Sequence, residues 1–146
     1  MIARDWIAAH IPHQGTMCLL DAVDSWDADH IVCRTGSHRL ADNPLRAAGN
    51  LGVANAIEYA AQAMAVHGAL LAGEGDAPKA GYLTSVRDVR WHRAHFDDLA
   101  GELSIRADRL SGNEINVLYR FEVAAGDAVL ISGRAGVMLD ASGAGA

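Results

Sequence analysis

Residues 52–62, GVANAIEYAAQ, continued by AMAVHGALLA to Ala72, are the stretch whose reading decides the fold. The run is rich in good helix formers, and only Asn55, Glu58, Gln62 and His67 interrupt its apolar character. It therefore predicts one long helix, buried all round. A membrane span would need about twenty nearly uninterrupted apolar residues, whereas this run holds a carboxylate, two amides and a histidine. Burying an ionised carboxylate without partners costs on the order of several kcal/mol, so Glu58 is expected to be neutralised, hydrogen-bonded or held for chemistry. Gln62, four residues on, shares its face and can hydrogen-bond it. The competing reading is a capping or interface glutamate at a helix start, where the helix dipole favours negative charge.

Working outward, the 146 residues suit one domain with a real core. Hydrophobic residues make up 51% and charged residues 21%, which fits a globular chain and not a disordered one. The net charge of −6, with no basic block, argues against nucleic acid as a partner. Cys18 and Cys33 form neither a CxxC pair nor a disulfide framework and read as reduced, structural residues. The first fifteen residues lack a basic-then-apolar signal pattern, which leads to the expectation of a cytoplasmic protein.

Changes of period divide the rest. Ala3 to Ala9 reads as a short helix and IPHQGT as a loop. Residues 17–23 and 29–34 read as strands joined at SWDAD, and 73–81 as a surface loop. Four further strands are expected at 81–92, 102–109, 114–123 and 128–139, the last three a meander because SGN and AAGD are turn signals. Two strands, one buried helix and four strands call for an α+β domain in which an antiparallel sheet wraps around one long central helix, the hotdog fold. A single domain over 1–146 is expected, with 139–146 a frayed tail. Such a sheet leaves an edge open, so the expected state is at least a dimer.

Several short motifs, in order, carry a resemblance. Ile11-Pro12-His13 is followed by Met17, Leu19, Leu20, Asp21 and Val23; Glu58, Ala61 and Gln62 stand on the helix; Tyr82 to Trp91 and Ser132 to Ala135 follow. In this order they resemble the 3-hydroxyacyl-[acyl carrier protein] dehydratases, especially the shorter relatives of aryl-polyene-type biosynthetic clusters, over roughly Ile11 to Asp140. The resemblance implies dehydration of 3-hydroxyacyl thioesters to trans-2-enoyl thioesters in fatty acid or polyene biosynthesis. It implies a substrate on a phosphopantetheine arm, no other cofactor or metal, an acyl carrier protein as partner, and a homodimer or a heterodimer with a paralogous subunit. The chain departs from the better-known members at one point. Their loop histidine lies fourteen residues before the helix carboxylate, where this chain has Pro44.

That reaction needs a base for the C2 proton, an acid for the C3 hydroxyl and donors for the thioester oxygen. Glu58, with a pKa raised by burial, suits the acid. Backbone N–H groups near Gly49, Asn50 and Gly52 suit the oxygen, and Gln62 would hold the carboxylate. His13, in the loop the resemblance aligns, is the first candidate for the base, and His38 is the second should an altered loop bring it in. His67, about 180° round the helix from Glu58, reads as a core or interface residue; His10 and His30 read as surface residues. His92 and His95 lack further ligands for a metal. Arg87 and Arg90, with Arg93, Arg106 and Arg109, could clasp a phosphate or an acidic carrier surface, or be solvated strand charges. Tyr82 and Trp91 read as core residues, with the lining of an acyl tunnel as the alternative. Two other functions share these residues: a thioesterase in which Glu58 activates water, and a non-catalytic or half-site subunit paired with a dehydratase paralogue.

Overall fold

The computed structural model describes residues 1–73, 80–113 and 115–140. Its centre is helix α2, Ala56–Ala72, preceded by a 3-10 turn at Val53–Asn55 and ended at Gly73. Gly73 has φ +85, a left-handed conformation that costs glycine little, and its N–H bonds Ala69 O at 3.3 Å. Around this helix curls one antiparallel sheet. Its strands are β1 (Ile2–Ala3), β2 (Ala22–Trp26), β3 (His30–Thr35), β4 (Ala80–Trp91), β5 (Leu103–Gly112), β6 (Asn116–Ala125) and β7 (Ala128–Asp140), in the order β1-β2-β3-β5-β6-β7-β4. A short helix, α1 (Arg4–His10), follows β1.

Alternation sets which face meets the helix. Leu103, Ile105 and Ala107 of β5 are buried, while Ser104 and Arg106 point to solvent; Val117, Tyr119, Phe121 and Val123 repeat the pattern on β6. Against them pack Tyr59, Ala60, Ala63, Met64 and Val66 of α2. Fully burying a residue such as Ile105 or Phe121 contributes about 1.5–3 kcal/mol. Cys18 and Cys33 are buried and free, as structural cysteines would be.

Three expectations about element bounds and burial of the helix change. First, α2 is not buried all round: Glu58, Ala61, Ala65, Gly68 and Ala72 form a half-exposed stripe at helical spacing. Second, the strand expected at 17–23 begins only at Ala22, because Gly15–Met17 makes a 3-10 turn and Leu19 bonds side chains instead of a strand. Third, β7 runs to Asp140, past the expected start of the tail, while 141–146 and most of the expected 73–81 loop lie outside the described residues.

Strand β4 borders the sheet and pairs only with β7 among the described residues. It is twelve residues long, and it exposes Tyr82, Leu83, Val86 and Trp91, the last at 62%. Tyr82 and Trp91 are thus exposed here and not core. A long apolar edge is a surface that natural sheets cover or pair. No helix among the described residues is long and apolar enough to cross a membrane.

Candidate active site

Gln62 organises the site. Its side chain is fully buried and uses both donors and its oxygen: Oε1 accepts from Leu19 N at 2.9 Å, and Nε2 donates to Met17 O at 2.7 Å and to Glu58 Oε1 at 3.2 Å. These bonds tie the 13–19 loop to α2. The loop's other end is fixed by Ile11, buried, whose N–H bonds Ile7 O at 3.1 Å. Between the two anchors His13 is brought onto the helix, with Nε2 3.0 Å from Glu58 Oε1.

The carboxylate and the imidazole are 32% and 25% exposed. The hydrogen bond from His13 is the largest influence on Glu58 and holds its pKa below the usual carboxylate range; burial opposes this, and Gln62 and the charge of His13 reinforce it. The expectation that burial would raise Glu58 is therefore overturned. Glu58 is half-open and accepts two donors, so its charged form is favoured. Both bonds land on Oε1, so Oε2 carries neither.

The pair stands in the wall of a cavity of about 840 Å³. Its long wall is the small-residue stripe of α2, through Ala61, Ala65, Gly68 and Ala72; Tyr82 and Leu83 of β4, Arg109 of β5, Tyr119 of β6 and Val137 of β7 face it. His10, expected at the surface, also lines this cavity, stacked on Trp6 with ring centroids 3.8 Å apart. The volume falls within the range of small-molecule sites.

The structure unites Glu58, His13 and Gln62 and leaves the other candidates apart. His38 is sealed in the core on the far side of the 37–43 loop. Its Nε2 bonds Leu99 O at 2.9 Å, it packs near Phe96, and burial lowers its pKa. A serine–tyrosine–asparagine network beside it, with Tyr59 OH 2.9 Å from both Ser37 Oγ and Asn43 Nδ2, fixes that loop. Gly49, Asn50 and Gly52 do not line the cavity. Nearby N–H groups are spent elsewhere: Asn50 on Ala47 O, Leu51 on Asp97 Oδ1 and Val53 on Ala94 O. Arg87 and Arg90 project from the exposed β4 edge, outside the cavity. His67 is a core residue as expected, with Nε2 donating to Asp27 O at 2.7 Å and Nδ1 accepting from Tyr119 OH at 2.8 Å. Among the described residues no three His, Cys, Asp or Glu side chains converge as a metal site would require.

Sequence reading points to an acyl tunnel only through Tyr82 and Trp91, of which Tyr82 lines this cavity, and misses the Tyr119 wall. The signal for the cavity was present, as small residues spaced along one helix face. In the sequence Arg109 is one of five arginines that could clasp a phosphate or an acidic carrier surface or be solvated strand charges; it lies opposite Tyr119 in the β5–β6 register, which no local pattern reveals.

An antiparallel sheet wrapped around a central helix that presents a carboxylate to a lateral cavity defines a hotdog-fold protein. Structures with this fold include a thioesterase from Haemophilus influenzae, 12% identical over 82% of this chain and 77% of the other with a TM-score of 0.58, and a hypothetical thioesterase from Streptococcus pneumoniae with coenzyme A, 12% identical over 81% and 84% with a TM-score of 0.54. Residues 6–142 match the sequence model of the ApeP-like family, described as ApeP dehydratase, and the chain belongs to that family. It is also similar to a chain of the dehydratase heterocomplex ApeI:P from Xenorhabdus doucetiae, 26% identical over 92% of this chain and 90% of the other, with a TM-score of 0.82. No curated protein matches the sequence.

Proposed function

We propose that this chain dehydrates 3-hydroxyacyl thioesters carried by an acyl carrier protein, in aryl polyene assembly, and that it works paired with a paralogous dehydratase subunit. The observation that carries the reading is the 3.0 Å contact between His13 Nε2 and Glu58 Oε1 at the cavity wall. It places two proton carriers within one chain, and a β-elimination needs two. The dehydratase family and the heterocomplex from Xenorhabdus doucetiae support the reaction class and the pairing.

The ionised state of Glu58 exchanges the roles expected from sequence. The Glu58 carboxylate takes the C2 proton, and the C–H electron pair becomes the second bond between C2 and C3. Protonated His13 delivers its Nε2 proton to the C3 hydroxyl, which leaves as water. The proton then crosses from Glu58 to His13, restoring the starting pair. No further cofactor enters this scheme. The partner subunit lies along the β4 edge, closes the open side of the cavity and supplies the donors for the thioester oxygen that residues 49–52 do not provide. Arg87 and Arg90, on the same exposed edge, face an acidic carrier surface or its phosphate.

The test is to incubate a 3-hydroxyacyl thioester on a carrier protein with this chain, with its paralogue and with both, following enoyl absorbance and free thiol. Enoyl without thiol from the mixture, lost when this chain carries Glu58→Gln, is the expected result. Free thiol without enoyl would replace dehydration by hydrolysis, and full activity of the mixture containing Glu58→Gln would remove this chain from the chemistry.

A further inference from the structure

Behind the proton carriers runs a closed ring of hydrogen bonds that begins and ends on α2. Tyr59 and Gln62, three residues apart on that helix, anchor it, and both are fully buried. The direction of each bond follows from what each group can give. Asn43 Nδ2 donates to Tyr59 OH at 2.9 Å, which leaves the phenolic proton for Ser37 Oγ, also at 2.9 Å. Ser37 Oγ then donates to Leu19 O at 2.7 Å, and Thr35 Oγ1 donates to the same carbonyl. Ser37 N donates to Thr35 Oγ1 at 3.0 Å, so the two hydroxyls are fixed to one another as well. Leu19 N donates to Gln62 Oε1 at 2.9 Å, and Gln62 Nε2 donates to Glu58 Oε1 at 3.2 Å.

Leu19 needs this clamp because it stands outside the sheet. Strand β2 begins at Ala22, and just before it Asp21 N bonds Arg34 O at 3.0 Å. Two residues earlier the Leu19 carbonyl takes the Thr35 and Ser37 hydroxyls instead of a backbone donor, and Leu19 is fully buried, so no water can replace them. The clamp matters for chemistry through Gln62. A carboxamide has two orientations, a half-turn apart, that present opposite groups to Glu58. With Oε1 on Leu19 N, a donor faces the carboxylate; the reversed amide would set oxygen against oxygen and N–H against N–H. The placement of Leu19 N therefore decides which group Glu58 meets, and Met17 O, from the same loop, acts in the same sense.

We propose that Thr35 and Ser37 are positioning residues for the elimination: through Leu19 they hold the Gln62 amide with its donor on Glu58, and Tyr59 keeps Ser37 in place for that task. The proposal rests on the dehydratase reading, in which Glu58 takes the C2 proton. Thr35, Ser37 and Tyr59 do not line the cavity, so they act through Gln62 and not on substrate. The two hydroxyls share one acceptor, so either alone holds the carbonyl in part, and removing both releases it.

The test reads the carboxylate directly, by carbon NMR titration of the glutamate carboxyl signals of this chain in complex with its unlabelled paralogue; the Glu58 signal is the one absent from Glu58→Gln. Thr35→Val combined with Ser37→Ala should move the Glu58 titration upward, as Gln62→Leu does. It should also lower kcat for enoyl formation about tenfold, the size of one hydrogen bond, with KM held within about twofold. Thr35→Ser, which keeps the hydroxyl, should titrate as the wild type. In a Gln62→Leu background the paired substitutions should move the titration no further, because the amide they act through is gone. The titratable groups that share the cavity with Glu58, namely His10, His13, Tyr82, Arg109 and Tyr119, are unaltered in every variant. A titration unmoved by the paired substitutions, or moved as far in the Gln62→Leu background as without it, would overturn the proposal. Should the paired variant not fold, Thr35→Val alone carries the test: a smaller upward movement is expected, and none would overturn the proposal. Turnover separates the two readings: an upward movement without enoyl formation by the wild-type complex overturns the reaction and keeps the positioning role, and enoyl formation with an unmoved titration does the reverse.

Discussion

His13 and His38 both bury an Nδ1 that has no hydrogen-bond partner among the described residues, and both set Nε2 about 3 Å from an oxygen. What lies opposite Nε2 separates them. His38 meets the Leu99 backbone carbonyl, which accepts a hydrogen bond but does not take up the proton. His13 meets a carboxylate at a cavity wall, so its proton has somewhere to go. Proximity in sequence to the helix favours His38, yet the chain folds the 37–43 loop inward and the 13–19 loop onto Glu58. A candidate base is therefore judged by the acidity of its partner and by access, not by chain distance.

The largest effect expected from this contrast is on turnover. His13→Ala should lower enoyl formation about a hundredfold or more, as the loss of a proton carrier does, while His38→Ala should leave kcat within a few-fold. The cost of His38→Ala appears instead in stability, about 1–3 kcal/mol, because the part-buried Leu99 O loses its donor. A catalytic loss at His38 equal to that at His13 would break the comparison.

Gln62 sharpens it. Gln62→Leu strands Leu19 N and Met17 O, costing about 1–3 kcal/mol for each in chemical denaturation. It also removes one of the donors holding Glu58 ionised. The acid limb of kcat/KM, expected below the ordinary glutamate range in the wild type because His13 and Gln62 both bond the carboxylate, should move upward in this variant. An unmoved limb would mean that Gln62 clamps the loop without tuning the carboxylate.

The smallest effect is on the pH dependence of stability. Burial lowers the pKa of His38 and of His67 from 6.5, so both stay neutral in the fold while the unfolded chain still titrates at the ordinary value. The unfolded state then binds more protons as pH falls through 6.5. Stability is fully present above that pH and declines below it, until the lowered folded values are reached. His38→Gln should flatten the decline in a series of thermal midpoints; an unchanged slope would show that His38 does not carry it.

Much of this was legible in the sequence, for identifiable reasons. The Glu58–Gln62 spacing in an apolar run needs only helical geometry, and it located the carboxylate and its amide partner. The SGN and AAGD turn signals likewise marked out β5, β6 and β7 as a meander, and the order of strands and helix put the sheet around α2. What escaped depended on through-space partners. The direction of the Glu58 shift turned on a ring nitrogen forty-five positions earlier in the chain. The stripe of alanines and glycine reads the same whether it meets a core or a cavity, because small side chains leave no signature of what stands opposite. Arg109 acquires its meaning only from a register that sets it across from Tyr119. Strand β1, two residues long, carries too little pattern to be read at all.

The central claim is that Glu58 and His13 of one chain act as a unit, and a double-mutant cycle tests it most directly. Enoyl formation would be measured for Glu58→Gln, His13→Ala and the double variant, each complexed with the wild-type paralogue. Two groups that pass one proton between them should give large single losses and a double loss close to the larger single one. Single losses that multiply in the double variant, or a Glu58→Gln chain with wild-type kcat/KM, would contradict the account.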